Sequence, residues 1–177
     1  MASLEFIAII LTGLGLTASI IYYAYILNNA NKTRELQLKA QQQAEETRQT
    51  QLYMNLWSKW DSEDFMKHYL RILSWEFTGY EDWSTKYGLS GDRDDLLSYG
   101  LIETFFEGIG VLVKRGLLDV SMIDDFMSSE LEIYWLKMKT VVDGMRNTGW
   151  PTWSEYTEYL YNEVMKIRRQ QHPELYK

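Results

Sequence analysis

From Phe6 to Leu27 the chain reads FIAIILTGLGLTASIIYYAYIL, without one charged residue. A helix over this run reaches about 33 Å at about 1.5 Å per residue. The hydrocarbon core of a bilayer is about 30 Å thick. The pattern therefore predicts a transmembrane anchor in residues 1–27, with the span itself at 6–27. Tyr22, Tyr23 and Tyr25 crowd the C-terminal end of the run, where rings with one wet edge suit the headgroup region. Ala8, Thr12, Gly15 and Ser19 recur at i, i+4, i+7 and i+11 and share one helical face. Small faces let helices approach closely in lipid, so these four residues form a candidate helix-docking face. A cleaved signal peptide would instead need a basic segment before a shorter apolar stretch. Here Glu5 is the only charged side chain before the run.

The pattern changes after the span. Residues 28–51, NNANKTRELQLKAQQQAEETRQTQ, contain neither Gly nor Pro and are rich in good helix formers, which predicts a polar helical stalk. The best coiled-coil seam (Leu36, Ala40, Gln43, Thr47, Thr50, Met54, Trp57) is apolar only at its ends, so self-association through the stalk should be weak.

Helical periodicity returns over residues 52–177. Leu52, Leu56, Trp57 and Trp60 form a stripe. Asp61 is an expected N-cap for a helix from Ser62 to Trp75 that buries Phe65, Tyr69, Ile72 and Leu73. Thr78 to Gly91 is expected to be a loop with a helical turn around Trp83. Asp92 to Lys114 is the strongest amphipathic stretch, with Ile102, Phe105, Phe106, Ile109 and Val113 on one face and Gly116 closing it. Ser121 with Asp124 predicts a capping box for a short helix, followed by a longer helix from Glu130 to Met145. A turn at Asn147–Pro151 and a second capping box, Thr152 with Glu155, introduce a last helix burying Trp153, Tyr156, Leu160, Val164 and Ile167. No alternating strand pattern occurs. The expected fold is all-α: one N-terminal transmembrane helix, a polar stalk, and a multi-helix, bundle-like domain.

Charge orients this arrangement. Lys32 and Arg34 follow the span closely and no Lys or Arg precedes it, so the N-terminus should lie outside and the C-terminal domain in the cytoplasm of a single-pass cell-membrane protein. With the three tyrosines, Lys32 and Arg34 are the expected interface anchors. In the first 50 residues Lys32, Arg34, Lys39 and Arg48 balance Glu5, Glu35, Glu45 and Glu46, so the whole net charge of −7 belongs to the rest of the chain. An acidic domain is repelled by phosphates, which argues against a nucleic-acid partner. The expected partners are the lipid bilayer and a protein, the latter docking through the transmembrane helix. The chain has no cysteine, which removes disulfides, thiolate metal sites and Cys nucleophiles.

Candidate chemistry is sparse. Asp64 and His68 stand four apart on a predicted helix and could hold one metal with a third ligand from elsewhere. Paired Glu-x-x-His motifs for a di-iron bundle are missing, however, and a capped helix start with a surface or interfacial histidine is the expected reading. Glu103 and Glu107 are also i, i+4, a spacing that could serve acid–base chemistry if desolvated. Falling away from the Phe105–Phe106–Ile109 face, they read as a solvated or rim-facing stripe. Gly100, Thr104 and Gly108 suggest a close helix–helix approach first, and a ligand-facing backbone second. The Trp150-Pro-Thr-Trp153 turn should cap the core at a helix start, the alternative being that it presents its aromatics to a partner. Phosphate-binding loops, zinc-protease motifs and nucleophile elbows do not occur. The sequence thus predicts no catalytic, cofactor-binding or metal-binding residues, and a membrane-tethered, non-enzymatic interaction domain or accessory subunit. A small-ligand or signal-sensing domain is the alternative. An enzyme using Asp64, His68, Glu103 and Glu107 is the second alternative.

The span, the segment NNANKTRELQLKAQQQAEETRQTQLYMNLW, and the later FFEGIGVLVKRGLLDVSMIDDFM and EYLYNEVMKIRR together resemble an uncharacterised family of membrane-anchored helical proteins, found mainly in archaea and also in bacteria. The resemblance covers nearly the whole chain. It implies an N-terminal anchor and a cytoplasmic helical domain of unknown function, and it supplies no catalytic residues.

Overall fold

The structure, a computed structural model, describes residues 2–176. The described residues form six α-helices and a terminal 3₁₀ turn, with no strand among them: α1 (Ala2–Trp60), α2 (Glu63–Leu73), α3 (Tyr80–Lys86), α4 (Arg93–Lys114), α5 (Val120–Asn147), α6 (Glu155–Gln171) and the turn at Pro173–Tyr176. The chain divides into two compact units after Arg48. The expected all-α architecture is what forms.

The first unit is the N-terminal part of α1, helical through the apolar run and the polar stretch that follows. Its described side chains from Ser3 to Arg48 are all exposed. This segment is long and apolar enough to cross a membrane. The Thr and Ser hydroxyls of the apolar run are satisfied within the helix: Thr12, Thr17 and Ser19 donate to the carbonyls of Ala8, Gly13 and Gly15 at 2.8, 2.9 and 2.8 Å. Hydrocarbon offers no hydrogen-bond partners, so such internal satisfaction is what a spanning helix requires. Farther along, Glu35 pairs with Lys39 at 2.7 Å and Glu45 with Arg48 at 2.6 Å. Pairs at this spacing support an exposed helix by about 0.2–0.5 kcal/mol each.

The second unit is built around α4, which packs chiefly against α6 and α2, while α5 packs against α6 and α3. Ile102, Phe106 and Ile109 of α4, Leu131, Tyr134 and Met138 of α5, and Leu160 and Val164 of α6 are wholly buried. Burying each of the larger apolar side chains contributes about 1.5–3 kcal/mol. The last turns of α1 also join this core. Trp60 stacks on Phe105 at 5.7 Å, and Trp57 lies 4.6 Å from Phe126. These rings explain the stripe at the start of the domain.

Several helix ends differ from expectation. Ser62, not Asp61, caps α2 and accepts from the Phe65 N–H at 3.4 Å, because the Asp61 N–H still bonds back to Trp57 O at 2.8 Å. The two helices expected between Ser121 and Met145 form as the two arms of α5, on either side of a kink where Met127 leaves helical geometry (φ −147°, ψ 26°). The Ser121–Asp124 capping box does not form. Asp119 is the N-cap, and it accepts from the Ser121 N–H and Oγ at 2.8 and 2.7 Å. Gly116 closes α4 as expected. It sits at φ 66°, its N–H bonding Val113 O and that of Leu117 bonding Leu112 O, both at 2.9 Å. That pair of bonds is a Schellman closure, which favours glycine at the left-handed position.

Candidate functional site

One turn separates Glu103 from Glu107 on α4, and the structure corrects the expectation of a solvated or rim-facing pair at Glu103. Glu103 is 5 % exposed. Tyr99, Glu103, Phe106, Gly110 and Val113 lie at i, i+4, i+7, i+11 and i+14, and all five are buried, so the carboxylate belongs to the buried face. The Tyr134 hydroxyl of α5 donates to Glu103 Oε2 at 2.7 Å, and the Thr157 hydroxyl of α6 donates to Oε1 at 2.9 Å. Burial pushes the Glu103 carboxyl above its ordinary value, against the opposing pull of the Ser154, Tyr134 and Thr157 hydroxyls and the charge of Arg146.

Glu107 is half-buried and performs a different task. Both its oxygens accept from the Tyr156 N–H, at 3.2 and 3.3 Å. Tyr156 lies in the first turn of α6, where backbone N–H groups have no partner inside the helix. Glu107 thus caps α6 from a neighbouring helix. This is why the expected Thr152–Glu155 capping box does not form: Ser154 holds the N-cap position at φ 56°, with no capping bond from its own side chain. Desolvation, and then the charge of Glu103, raise the Glu107 carboxyl, while the Tyr156 and Thr157 N–H groups oppose the shift. The approach of α4 to α6 that makes this possible occurs at Gly110, where a Cβ would collide with the Tyr156 carbonyl.

Gly100 and Gly108, expected to mediate close packing, have nothing within 4 Å of an added Cβ. With Thr104 they face outward. Gly100 and Thr104 instead edge a cleft of about 370 Å³, between α4 and the turn leading into α6, whose wall includes Glu103, Glu107, Trp150, Trp153, Ser154 and Tyr156. Trp153 is held there by its indole N–H, which donates to the Tyr99 hydroxyl at 2.8 Å. Trp150 is 60 % exposed, and its ring meets that of Trp153 edge-on at 5.9 Å. The turn therefore both covers the core and presents an aromatic ring. Ser154 is buried, and its hydroxyl makes no hydrogen bond of standard geometry, although it lies near enough to Glu103 and Tyr99 to influence both electrostatically. A second hollow of about 410 Å³, lined by Tyr80, Trp83 and Met145 among others, shares Gly100, Trp150 and Trp153 with the first.

The other predicted residues lie elsewhere. Neither Asp64 nor His68 lines the cleft. His68 Nδ1 is 2.9 Å from Ser98 Oγ, whose hydroxyl donates to Asp94 O at 2.6 Å, so His68 serves a helix–helix contact. Among the described residues no three His, Cys, Asp or Glu side chains converge as a metal site. Ala8, Thr12, Gly15 and Ser19 share the α1 face expected of them, and Tyr22, Tyr23, Tyr25, Lys32 and Arg34 follow on the same helix, all exposed. Sequence reasoning missed Tyr134 and Thr157 as the hydrogen-bond partners of Glu103, and Ser154 as its neighbour.

A family model described as a domain of unknown function, DUF4760, matches residues 6–164. The chain belongs to the DUF4760 family. The match takes in both the apolar run and the cleft of this DUF4760 chain. No curated protein and no solved structure matches it.

Proposed function

We propose that the protein is a single-pass membrane-anchored helical domain that presents an acidic, aromatic-rich module to a protein partner at the cytoplasmic face. The observation that supports this reading is the uncharged segment Phe6–Leu27, apolar over a bilayer's thickness and exposed along its whole length. Tethering confines the module to the bilayer and raises its effective concentration near membrane partners. The small face of Ala8, Thr12, Gly15 and Ser19 is the route by which the anchor would dock beside a partner's helix.

The cysteine-free chain gives labelling experiments no background. The chain should stay with membranes through alkaline extraction. In intact cells an impermeant maleimide should label Ser3→Cys and spare Glu81→Cys. Gly15→Leu and Ser19→Leu should weaken crosslinking to a specific partner. Release by alkali, or loss of the span by cleavage, would overturn the anchor; reversed labelling would overturn the orientation. A second reading, a module that responds to a small ligand, is favoured by the cleft that joins Glu103 and Glu107 to Trp150.

A further inference from the structure

The geometry points to a small amphipathic organic cation, an alkylammonium or alkylguanidinium, as the ligand of the cleft between α4 and the Trp150–Tyr156 turn. This inference rests on the ligand-responsive reading and names the ligand's chemistry.

Four observations converge. The first is charge. Glu103 and Glu107 enter the wall, and the exposed Glu155 stands on the rim. The nearby cation, Arg146, is already engaged. Its guanidinium donates to Trp153 O at 2.9 Å, Ser154 O at 3.4 Å and Glu158 at 2.7 Å. No Lys or Arg lines the cleft. An anion would therefore meet carboxylates with no counter-charge, and a cation would meet them unopposed.

The second is the aromatic wall. A cation within about 6 Å of a tryptophan face is attracted by the ring quadrupole. Trp150, Trp153 and Tyr156 all line the cleft, and Trp150 is the exposed ring of the three.

The third is Ser154. It is 4 % exposed, it lines the cleft, and its hydroxyl makes no hydrogen bond of standard geometry to the nearby Glu103 and Tyr99. Buried hydroxyls without partners are costly. An N–H donor of a bound head group would give this oxygen a bond of that geometry.

The fourth is shape. The charged cleft opens beside the more apolar hollow of Tyr80, Trp83 and Met145, and the two share the bare backbone of Gly100. A head group at Glu107 can thus send an alkyl tail over Gly100. A bare metal ion fits poorly, since hard cations take six or more oxygen ligands and no trio of acidic or His side chains gathers among the described residues.

The test uses the full chain in zwitterionic lipid nanodiscs, titrated calorimetrically with n-butylammonium and n-butylguanidinium. Empty discs, n-butanol and butyrate are the controls. Both cations should bind at least tenfold more tightly than the alcohol, and butyrate should not bind. Glu107→Gln keeps an acceptor for the α6 cap but removes the charge, and should weaken cation binding at least tenfold. Gly100→Leu places a side chain in open space on an exposed helical face, so it should preserve the melting temperature while filling the space at the wall that the two hollows share, again with at least a tenfold loss. An alcohol that binds as tightly as the cations would overturn the cation assignment and leave the ligand-responsive reading standing. Binding of none of the probes would overturn both. Cation binding unaffected by Gly100→Leu would overturn the location. N-acetylargininamide, which carries the same head group on a peptide unit, identifies the source: tighter binding than butylguanidinium assigns the cation to a polypeptide side chain, weaker binding to a free small molecule.

Discussion

Tyr134→Phe deletes one hydroxyl from a wholly buried side chain, and its cost should depend on pH. That hydroxyl donates to Glu103 Oε2 at 2.7 Å. A hydrogen bond to a charged group contributes about 1.5–3 kcal/mol and a typical one about 0.5–1.5 kcal/mol. Burial holds the Glu103 carboxyl above its ordinary 4.5. In the window between the ordinary and the raised value, the folded chain binds more protons than the unfolded one, so stability falls as pH rises. The contribution is complete below about 4.5 and is lost as pH climbs through the raised value. Tyr134→Phe should therefore cost about 1 kcal/mol at pH 4 and about 2–3 kcal/mol once Glu103 ionises. At about 3 °C per kcal/mol for a domain of this size, the melting temperature should drop by about 3 °C in acid and about 6–9 °C at the upper end.

The groups facing Glu103 are Tyr99 and Glu107 on α4, Tyr134 and Arg146 on α5, and Ser154 and Thr157 on α6. Glu107 is raised too, so Glu103→Gln should keep a residual slope of the same sign. What it should abolish is the growth of the Tyr134→Phe increment, because a glutamine cannot ionise. Thermal melts of the wild type, both single variants and the double variant, followed by near-ultraviolet circular dichroism between pH 4 and pH 8 in nanodiscs, measure this directly. An increment that is flat in the wild type, or that grows equally in the Glu103→Gln background, would refute the reasoning.

Two further variants test the α4–α6 contact. Gly110→Ala sets a methyl against the Tyr156 carbonyl, and an overpacked backbone contact of this kind should cost about 1–3 kcal/mol in a thermal melt; a stability gain, as expected of Gly→Ala in an open helix, would show that the two helices do not meet there. Glu107→Ala uncaps α6 and should cost about 0.5–2 kcal/mol, with hydrogen exchange accelerated at the Tyr156 amide before any other part of α6; uniform acceleration along the helix would argue against a capping role.

The elements of the second unit were legible because each carries an apolar stripe at helical spacing, and the helix over Asp92–Lys114 was recovered to within a residue. Ends were less legible where several polar residues compete for one cap. Asp61 and Ser62 are both good N-caps, and the choice fell to Ser62 because the Trp57 carbonyl claims the Asp61 N–H. Asp119 outcompeted Ser121 because it reaches both the N–H and the hydroxyl of that serine. No Gly or Pro announces the kink at Met127, yet the change of apolar stripe on either side of it separates the two arms of α5.

The site was hidden for a different reason. A buried face is usually inferred from apolar residues alone, and that rule centred the α4 stripe on Ile102, Phe105, Phe106 and Ile109. Shifted slightly, the same helix reads Tyr99, Glu103, Phe106, Gly110, Val113, a full core stripe with a glutamate inside it. The signal was present, but a glutamate on a core stripe is admissible only if another element brings hydroxyls to it, and Tyr134 and Thr157 lie 31 and 54 residues away. Likewise the reason for Gly110 is the Tyr156 carbonyl on another helix, whereas the evenly spaced Gly100 and Gly108 proved to be open surface. Regular spacing along one helix reports which side faces inward. It carries no record of what the facing helix supplies, and on α4 that supply separates a carboxylate held in the core from one that caps a neighbour.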